Sequence, residues 1–199
     1  MVLINGLQIC LRDFVLSDLE ILTSWLQGHP RWKELDAPYY PINAQQASEM
    51  IELRRTKIEA GNWPHPRFRL AIATLESNRF IGEVSRSWIS QETDWPEVGI
   101  VIYDPDYWGC GIGYEALGLW SDTLFDGMPE IVRLDLRTWS GNHGMIRLAQ
   151  KLGYQQEACF RKARIVKGDY FDGLGYGVLR EEWRGLYPDR FAAHLQNRV

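Results

Sequence analysis

The chain has 199 residues, of which 45% are hydrophobic and 24% are charged, and its formal net charge is −4 at pH 7. This length suits one globular domain spanning residues 1–199, and the acidic balance argues against a broad nucleic-acid or membrane surface. The three cysteines, Cys10, Cys110 and Cys159, match no metal-binding spacing, so the sequence predicts free thiols and no metal site. The first residues lack signal-peptide features and no long apolar window follows, so we expect a cytoplasmic protein.

Apolar periodicity and turn residues predict two helices in the first half of the chain. Ser17 to Glu20 has capping-box spacing and predicts the start of a helix that runs to about Gly28. Asn43 predicts the N-cap of a second helix, which runs to about Ala60 and ends at Gly61. The strands expected in this half are Leu7–Leu11, Arg67–Leu75, Arg79–Ile89 and Glu97–Tyr103.

The second half alternates helices and strands. Helical spacing extends from about Gly113 to Phe125 and from Asn142 to Leu152, and the tail from Glu181 to Arg198 predicts a short helix. The strands expected here are Ile131–Trp139, Tyr154–Val166 and Tyr170–Leu179. Antiparallel hairpins around one βαβ crossover predict an α/β fold with a single mixed sheet of about seven strands flanked by helices.

The segment from Glu97 to Ala116 joins an apolar strand to a helix through a glycine-rich loop. Gly109, Gly111 and Gly113 lie in this loop, directly ahead of the predicted helix. Glycine allows positive φ and close approach of the backbone to a ligand. The free N–H groups of the first helical turn bind anions. The segment therefore predicts a site for a phosphate-bearing ligand.

Three other interpretations of the loop are weaker. A Walker loop requires a Lys after the glycines, and none is present. A Rossmann loop fits the spacing from Gly111 to Ala116, but it normally follows its strand directly, near the start of a domain. A purely structural turn remains possible on the glycines alone. Cys110 is a poor candidate for a nucleophile, because no His lies near it in the sequence.

Three motifs, in order, resemble the GNAT superfamily of N-acetyltransferases. Trp108 to Gly113 resembles its [QR]-x-x-G-x-[GA] loop, with Trp at the usual Gln or Arg position. Asn142 to Tyr154 resembles the N-x-x-S-x-R-V-x-E-K-x-G-F segment of the Rim-type branch, which acetylates N-termini of ribosomal proteins. Gly168 to Gly173 and Tyr176 to Trp183 are similar to the last hairpin and the L-x-x-E-W ending of that branch. The resemblance covers residues 7–183 and implies the GNAT fold.

The resemblance implies acetyl-CoA as cosubstrate. Backbone groups of Val101, Ile102 and Tyr103 would pair with the pantetheine arm, and backbone N–H groups from Gly109 to Tyr114 would hold the pyrophosphate. The side-chain amide of Asn142 could bond the cofactor arm, or it could serve only as a helix cap. The cofactor-binding residues expected on this basis are Val101, Ile102, Tyr103, Gly109, Cys110, Gly111, Ile112, Gly113, Tyr114 and Asn142.

The implied reaction is direct attack of a primary amine on a thioester, for which a general base and a proton donor are useful. Glu97 is the candidate base, because it lies eleven residues before Trp108, where several members of the superfamily carry one. Glu83 is the reserve. Many members have a Tyr at the position of Ala149 to protonate the thiolate, and Ala cannot donate a proton. Tyr103, Tyr114, water or no acid at all remain alternatives.

The acceptor is less well specified. The Rim-type resemblance implies a protein or peptide N-terminus, and a small amine such as an antibiotic or polyamine is the alternative. Because the usual proton donors are missing, a weakly catalytic acyl-CoA-binding module is a second class of function, and a dinucleotide oxidoreductase is a third. Aromatic residues in the two long connectors could wall an acceptor pocket: Trp32, Tyr39, Tyr40 and Trp63. We expect no nucleic-acid or membrane partner, and a homodimer is left open.

Overall fold

The computed structural model describes residues 2–28 and 30–197. Eight strands form one mixed sheet in the order β1-β2-β3-β4-β5-β6-β8-β7. The strands are β1 Leu3–Asn5, β2 Ile9–Arg12, β3 Arg69–Thr74, β4 Phe80–Ser90, β5 Trp95–Ile102, β6 Arg133–Trp139, β7 Gln155–Val166 and β8 Asp169–Leu179. The helices are α1 Leu16–Leu26, α2 Ala44–Ala60, α3 Ile112–Gly127, α4 His143–Lys151, α5 Arg180–Leu186 and α6 Phe191–Gln196.

Helices cover both faces of the sheet, as the mixed topology predicts. One core includes Val98 of β5 and buried side chains of α3, α4, α5 and α6. The other core includes Phe80 of β4 and Tyr103, which follows β5, with Leu22 of α1 and Ile51 of α2. Alternate residues of β5 face these two cores, so this strand contributes side chains to both.

The sheet has one strand more than the expected seven, because the predicted first strand belongs to a hairpin. Leu3 of β1 pairs with Arg12 of β2, and the Gly6 amide donates to the Ile9 carbonyl across the turn. The dipeptide Asn5-Gly6 between apolar residues is a hairpin signal that would have identified β1.

The start of α1 also differs from the prediction. The helix begins at Leu16, and Asp18 rather than Ser17 supplies the capping interaction, since its Oδ2 accepts a hydrogen bond from the Val15 amide at 2.9 Å. The same carboxylate forms a buried, forked ion pair with Arg12, at 2.7 and 2.9 Å. Asp18 therefore joins the start of α1 to β2.

Several other local predictions agree with the structure. Asn43 caps α2 by accepting from the Gln46 amide at 2.9 Å, and Gly61 ends that helix with a φ of 61°. The tail forms two helices, α5 and α6, rather than one, and Arg198 lies outside the described residues. The parallel pair β5–β6, joined through α3, supplies the crossover that places the glycine loop at the end of β5.

Candidate active site

The parallel strands β5 and β6 separate soon after they meet. Among the residues that the structure describes, they pair only at Glu97 and Asp135, although β5 continues to Ile102 and β6 continues to Trp139. The strands therefore diverge toward their carboxyl ends and leave a gap that opens beside the glycine loop. A gap between strands leaves backbone donors and acceptors available to an extended ligand.

The backbone direction in β5 corrects part of the predicted cofactor site. The Tyr103 amide donates to the Ile81 carbonyl of the β4 side at 2.9 Å. Because backbone groups alternate along a strand, the N–H and C=O of Val101 also face β4, whereas those of Ile100 and Ile102 face the gap. The backbone groups of Ile102 are thus open to a ligand in the gap, and those of Val101 and Tyr103 are not. Ile100, which the sequence analysis did not name, has the same orientation as Ile102. Contact of any of them with a cofactor stays a prediction.

Trp108 binds one of the backbone carbonyls that face the gap. Its indole N–H donates to the Ile102 carbonyl at 2.9 Å, and the guanidinium of Arg31 lies 5.5 Å from the centre of its ring system. Trp108 therefore holds the loop against the end of β5. By alternation, the Ile102 amide and both backbone groups of Ile100 remain directed at the gap.

The glycine loop presents a row of backbone amides without protein acceptors. Gly109 and Gly111 have φ values of 78° and 88°, and α3 begins at Ile112. Within the residues that the structure describes, nothing accepts a hydrogen bond from the amides of Gly109, Cys110, Gly111, Ile112 or Gly113. A Cβ on Gly109 would meet no atom within 4 Å, so the loop borders open space. This arrangement suits an anion bound by main-chain amides and the positive end of the helix dipole.

Side chains in the loop point away from this row of amides or have other partners. The exposed Cys110 thiol lies 3.6 Å from the Trp108 carbonyl, and the Ile112 side chain is buried in the core. The Tyr114 hydroxyl lies 3.0 Å from His194 Nε2, and its ring packs on Phe191. The backbone, rather than these side chains, is therefore the part of the loop that is available to an anion.

Glu115 anchors the loop to the first hairpin. Its buried Oε1 accepts hydrogen bonds from the amides of Leu7, Gln8 and Ile9, at 2.6, 2.9 and 3.1 Å. The side-chain amide of Gln8 also approaches the Cys110 carbonyl at 3.4 Å. Sequence reasoning missed this role, because it depends on a turn more than 100 residues away. The anchor ties the start of α3, and with it the glycine loop, to the first hairpin.

Glu97 lies at the point where β5 and β6 diverge. Its side chain is 29% exposed, and its Oε2 lies 3.1 Å from Arg137 Nε without receiving a hydrogen bond of good geometry. Burial raises the pKa of Glu97 above its ordinary value, Arg137 lowers it, and nearby Asp135 raises it. A half-buried carboxylate with a raised pKa has the properties of a general base.

Glu83 does not have those properties. Its carboxylate is buried and binds Arg54 through two hydrogen bonds of 2.6 and 3.0 Å, and a further ion pair joins it to Arg69. Burial alone would raise the pKa of Glu83, but the two arginines outweigh burial and hold it below the ordinary value. The expectation that Glu83 could act as a reserve base is therefore corrected: it is the centre of a buried ion-pair cluster.

Asn142 is an N-cap with both ends of its amide engaged. Its Oδ1 accepts from the Met145 amide at 3.0 Å, and its Nδ2 donates to the Leu35 carbonyl at 3.1 Å. A contact with a cofactor arm stays a prediction and would require these bonds to be shared. Ala149, at the position expected for a proton donor, is fully buried.

The aromatic residues expected near the acceptor divide into two groups. Trp32 is buried, with its ring perpendicular to that of Tyr103 at 5.0 Å, and so belongs to the core. Tyr39 is half-buried and its ring lies 6.5 Å from that of Trp139, near the end of β6. Trp63 lies in the other connector, after α2, and the Arg67 guanidinium lies 5.8 Å from the centre of its ring. The Tyr40 ring packs against that of Tyr39 at 4.9 Å, so both tyrosines lie near the end of β6, while Trp32 lies at the end of β5.

Known proteins share the sequence pattern of this site. The family model of the acetyltransferase (GNAT) domain matches residues 8–155. The chain belongs to the GNAT acetyltransferase family. One relative is the uncharacterized N-acetyltransferase YokL, derived from the SPbeta prophage of Bacillus subtilis (strain 168). YokL is 26% identical over 151 residues, which cover 76% of this chain and 79% of that protein.

Two solved structures show the same GNAT fold. A GNAT-family acetyltransferase from Bacillus anthracis superposes with a TM-score of 0.70 at 17% identity, over 91% of this chain and all of that one. RimL, a ribosomal L7/L12 alpha-N-protein acetyltransferase in complex with coenzyme A, superposes with a TM-score of 0.68 at 19% identity. This alignment covers 89% of this chain and 98% of that chain. The expected GNAT fold is therefore confirmed.

No helix in the described part of this GNAT chain has the length and apolar character needed to cross a membrane. Over the same residues, no three His, Cys, Asp or Glu side chains converge on a point where a metal ion could bind.

Proposed function

We propose that this GNAT protein transfers the acetyl group of acetyl-CoA to a primary amine, and that the acceptor is a protein or peptide N-terminus. The observation that carries the proposal is the row of unpartnered amides from Gly109 to Gly113, directly beside the gap between β5 and β6. A pyrophosphate needs several N–H donors close together, and a pantetheine arm needs an unpaired strand edge. Here the two features are adjacent.

Each part of the site has a separate task. The amides of Gly109 to Gly113 would bind the pyrophosphate, and the backbone groups of Ile100 and Ile102 would bind the arm that enters the gap. Acetyl-CoA supplies the activated thioester. Glu97 would accept a proton from the attacking amine, which titrates near 8 for an α-amine and near 10.4 for a lysine. The family donor position is Ala149, so the thiolate, with an ordinary thiol pKa near 8.5, would leave without a protein acid.

The choice of a protein N-terminus rests on the Rim-type motifs and on the structural similarity to RimL, which is a ribosomal L7/L12 alpha-N-protein acetyltransferase. A weakly catalytic acyl-CoA-binding module is the second candidate. The observation in its favour is the apolar environment of the Ala149 position, which is fully buried.

The unpaired cysteines Cys10, Cys110 and Cys159 support the proposal that the protein works in the reducing cytoplasm.

Replacing Gly111 by Ala tests the anion site. Gly111 has a φ of 88°, so a side chain there costs about 1–3 kcal/mol in backbone strain and should shift the amides. We expect the affinity for coenzyme A, measured by titration calorimetry, to fall about tenfold or more. Gly168→Ala is the matched control, because Gly168 has a φ of 91° and open space but lies in the β7–β8 turn. Equal loss of affinity in both variants would contradict the assignment of the loop.

An acceptor panel tests the reaction itself. The panel contains pentapeptides with free α-amines, spermidine and tryptamine, and release of the coenzyme A thiol is followed by reaction with a thiol reagent. We expect the peptides to give the fastest release. Faster release with spermidine or tryptamine would assign a small-amine acceptor instead. Tight coenzyme A binding with no release for any amine would favour the binding module.

A further inference from the structure

The connector between α1 and α2 crosses the open end of the gap. The Trp32 ring lies against Tyr103, just beyond the end of β5. The Leu35 carbonyl accepts hydrogen bonds from Trp139 Nε1 at 2.8 Å and from Asn142 Nδ2 at 3.1 Å, both at the end of β6. Residues 32–35 are therefore attached to both strands that border the gap.

Asp36 follows these attachments directly. Since Glu97 pairs with Asp135, the same offset makes Val101 level with Trp139 on the two diverging strands. Trp139 binds the carbonyl of Leu35, the residue before Asp36. Asp36 therefore lies near the part of the gap that has Ile100 and Ile102 on one side and the end of β6 on the other. An amine that reaches a thioester in the gap from the α1–α2 side passes this residue.

The Asp36 carboxylate has no cationic partner of its own. In the part of the chain that the structure describes, no Lys, Arg or His nitrogen lies within 4.0 Å of it. The Lys33 ammonium donates instead to the Asp36 backbone carbonyl, at 2.9 Å. Asp36 is partly buried, and neither of its oxygens is fully enclosed. The carboxylate is therefore partly buried and is not neutralised by a contact ion pair.

The electrostatic environment of Asp36 is mixed. The titratable and charged groups that act on it, or on which it acts, are Lys33, Arg69, Glu83 and Tyr103. Burial raises the pKa of Asp36 above its ordinary value, Lys33 lowers it, Glu83 raises it and Arg69 lowers it. A carboxylate whose charge is incompletely compensated gains by contact with an added cation.

Aromatic rings flank the segment that carries Asp36, since the indole of Trp139 donates to the carbonyl of the preceding Leu35. Tyr39 is three residues further along the connector, and its ring is perpendicular to that of Trp139. Phe171 of β8 packs edge-on against Trp139 at 4.9 Å. The Arg164 guanidinium already lies 4.8 Å from the centre of the Tyr39 ring, so cations are accommodated here. A carboxylate and aromatic rings on the same segment are groups that recognise ammonium ions.

We infer that Asp36 binds the ammonium group of the acceptor, so that this site selects a protonated amine over a neutral acceptor of the same shape. The inference rests on the proposed function and deepens it by naming the residue that recognises the acceptor. Asp36 is a binding residue in this proposal, and the transfer of the proton is left to Glu97.

The first test compares Asp36→Asn with Glu34→Gln, a matched change of an exposed carboxylate in the same connector. With the best amine of the acceptor panel, Asp36→Asn should raise the KM for the amine about tenfold or more and change the KM for acetyl-CoA less than about twofold. Asp36→Glu should recover part of the loss, because it restores the charge. An unchanged amine KM in Asp36→Asn would overturn the inference, as would parallel increases in both KM values.

The second test separates charge recognition from proton transfer. The probes are the best panel amine with its nitrogen fully methylated, which keeps the charge but has no proton to lose, and the same amine in its N-formyl form, which is neutral. The methylated form should inhibit the wild type competitively against the amine, and its inhibition constant should rise about tenfold in Asp36→Asn. Equal inhibition by the charged and neutral forms would overturn the inference.

Failure of this inference is distinguishable from failure of the proposed function. If the panel amines are acetylated but Asp36→Asn behaves as the wild type, only the role of Asp36 is lost. If no amine is acetylated, calorimetric titration of spermidine into the wild type and into Asp36→Asn, each with coenzyme A bound, decides the point. Weaker binding to the variant supports the role of Asp36, and equal binding contradicts it.

Discussion

Glu97→Gln should lower kcat about 100-fold or more, because a positioned general base contributes about 10²–10⁴ to the rate. The amide has nearly the same shape and cannot accept the proton of the attacking amine. Cofactor binding should be unchanged, since the predicted pyrophosphate site is the backbone of residues 109–113. The measurements are kcat with the best panel amine and the affinity for coenzyme A by calorimetry.

Glu76→Gln is the control for this change, because Glu76 is an exposed carboxylate in the turn before β4. It should leave kcat unchanged. A kcat for Glu97→Gln within about twofold of the wild type would remove Glu97 from the mechanism. The remaining explanation would then be that the amine arrives already deprotonated, which is easier for an α-amine than for a lysine side chain.

The pH profile provides an independent test of Glu97. Its pKa is raised above 4.5, chiefly by burial, and the base works only in its ionised form. The rate of the wild type should therefore increase with pH through an acid limb that lies above 4.5. This limb should be absent from the residual activity of Glu97→Gln. An identical limb in the two proteins would assign it to another group.

Glu83→Ala should destabilise the fold by about 3–5 kcal/mol, because it removes one partner from a buried ion-pair cluster. The side chains of Glu83 and Arg54 are 5% and 12% exposed, so the arginine would be left buried without its counter-ion. The measurement is urea unfolding followed by tryptophan fluorescence. The cluster connects β3, β4 and α2, so the whole domain should unfold at lower urea.

Glu52→Ala is the control, since Glu52 forms an exposed pair with Arg55 of the same helix and its side chain is 70% exposed. The free energy of unfolding should change by less than about 1 kcal/mol. Similar losses of unfolding free energy in both variants would contradict the importance of burial.

The stability that Glu83 provides should depend on pH. The pKa of Glu83 is lowered on folding, so its stabilisation is present near neutral pH and is lost as the pH falls through that lowered pKa.

The local features of the site were predictable from the sequence. The glycine loop, its position between a strand and a helix, and the caps at Asn43 and Asn142 depend on residues within a few positions of one another. The backbone requirements of glycine and the hydrogen bonds of Asn act over this short range, so they hold wherever the segment lies in the fold. The strand pattern also predicted the mixed sheet, short of the hairpin strand β1.

The partners of the charged residues were not predictable. Glu83 and Glu97 both lie in strands with similar alternation, yet one binds arginines 14 and 29 residues away and the other lies at the divergence of two strands. Glu115 similarly depends on the β1–β2 turn. Which carboxylate is neutralised follows from neighbours that the chain brings together only on folding.

The sequence by itself therefore determined the position of the glycine loop and most helix boundaries, because short-range backbone geometry and apolar periodicity specify them, and its motifs carried the resemblance to the GNAT family. Only the tertiary structure decided that Ile100 faces the gap, that Glu83 is an ion-pair residue and that Asp36 lies across the open end. The physical reason is that strand pairing sets the direction of each backbone group, and burial beside particular charges sets the protonation of each carboxylate.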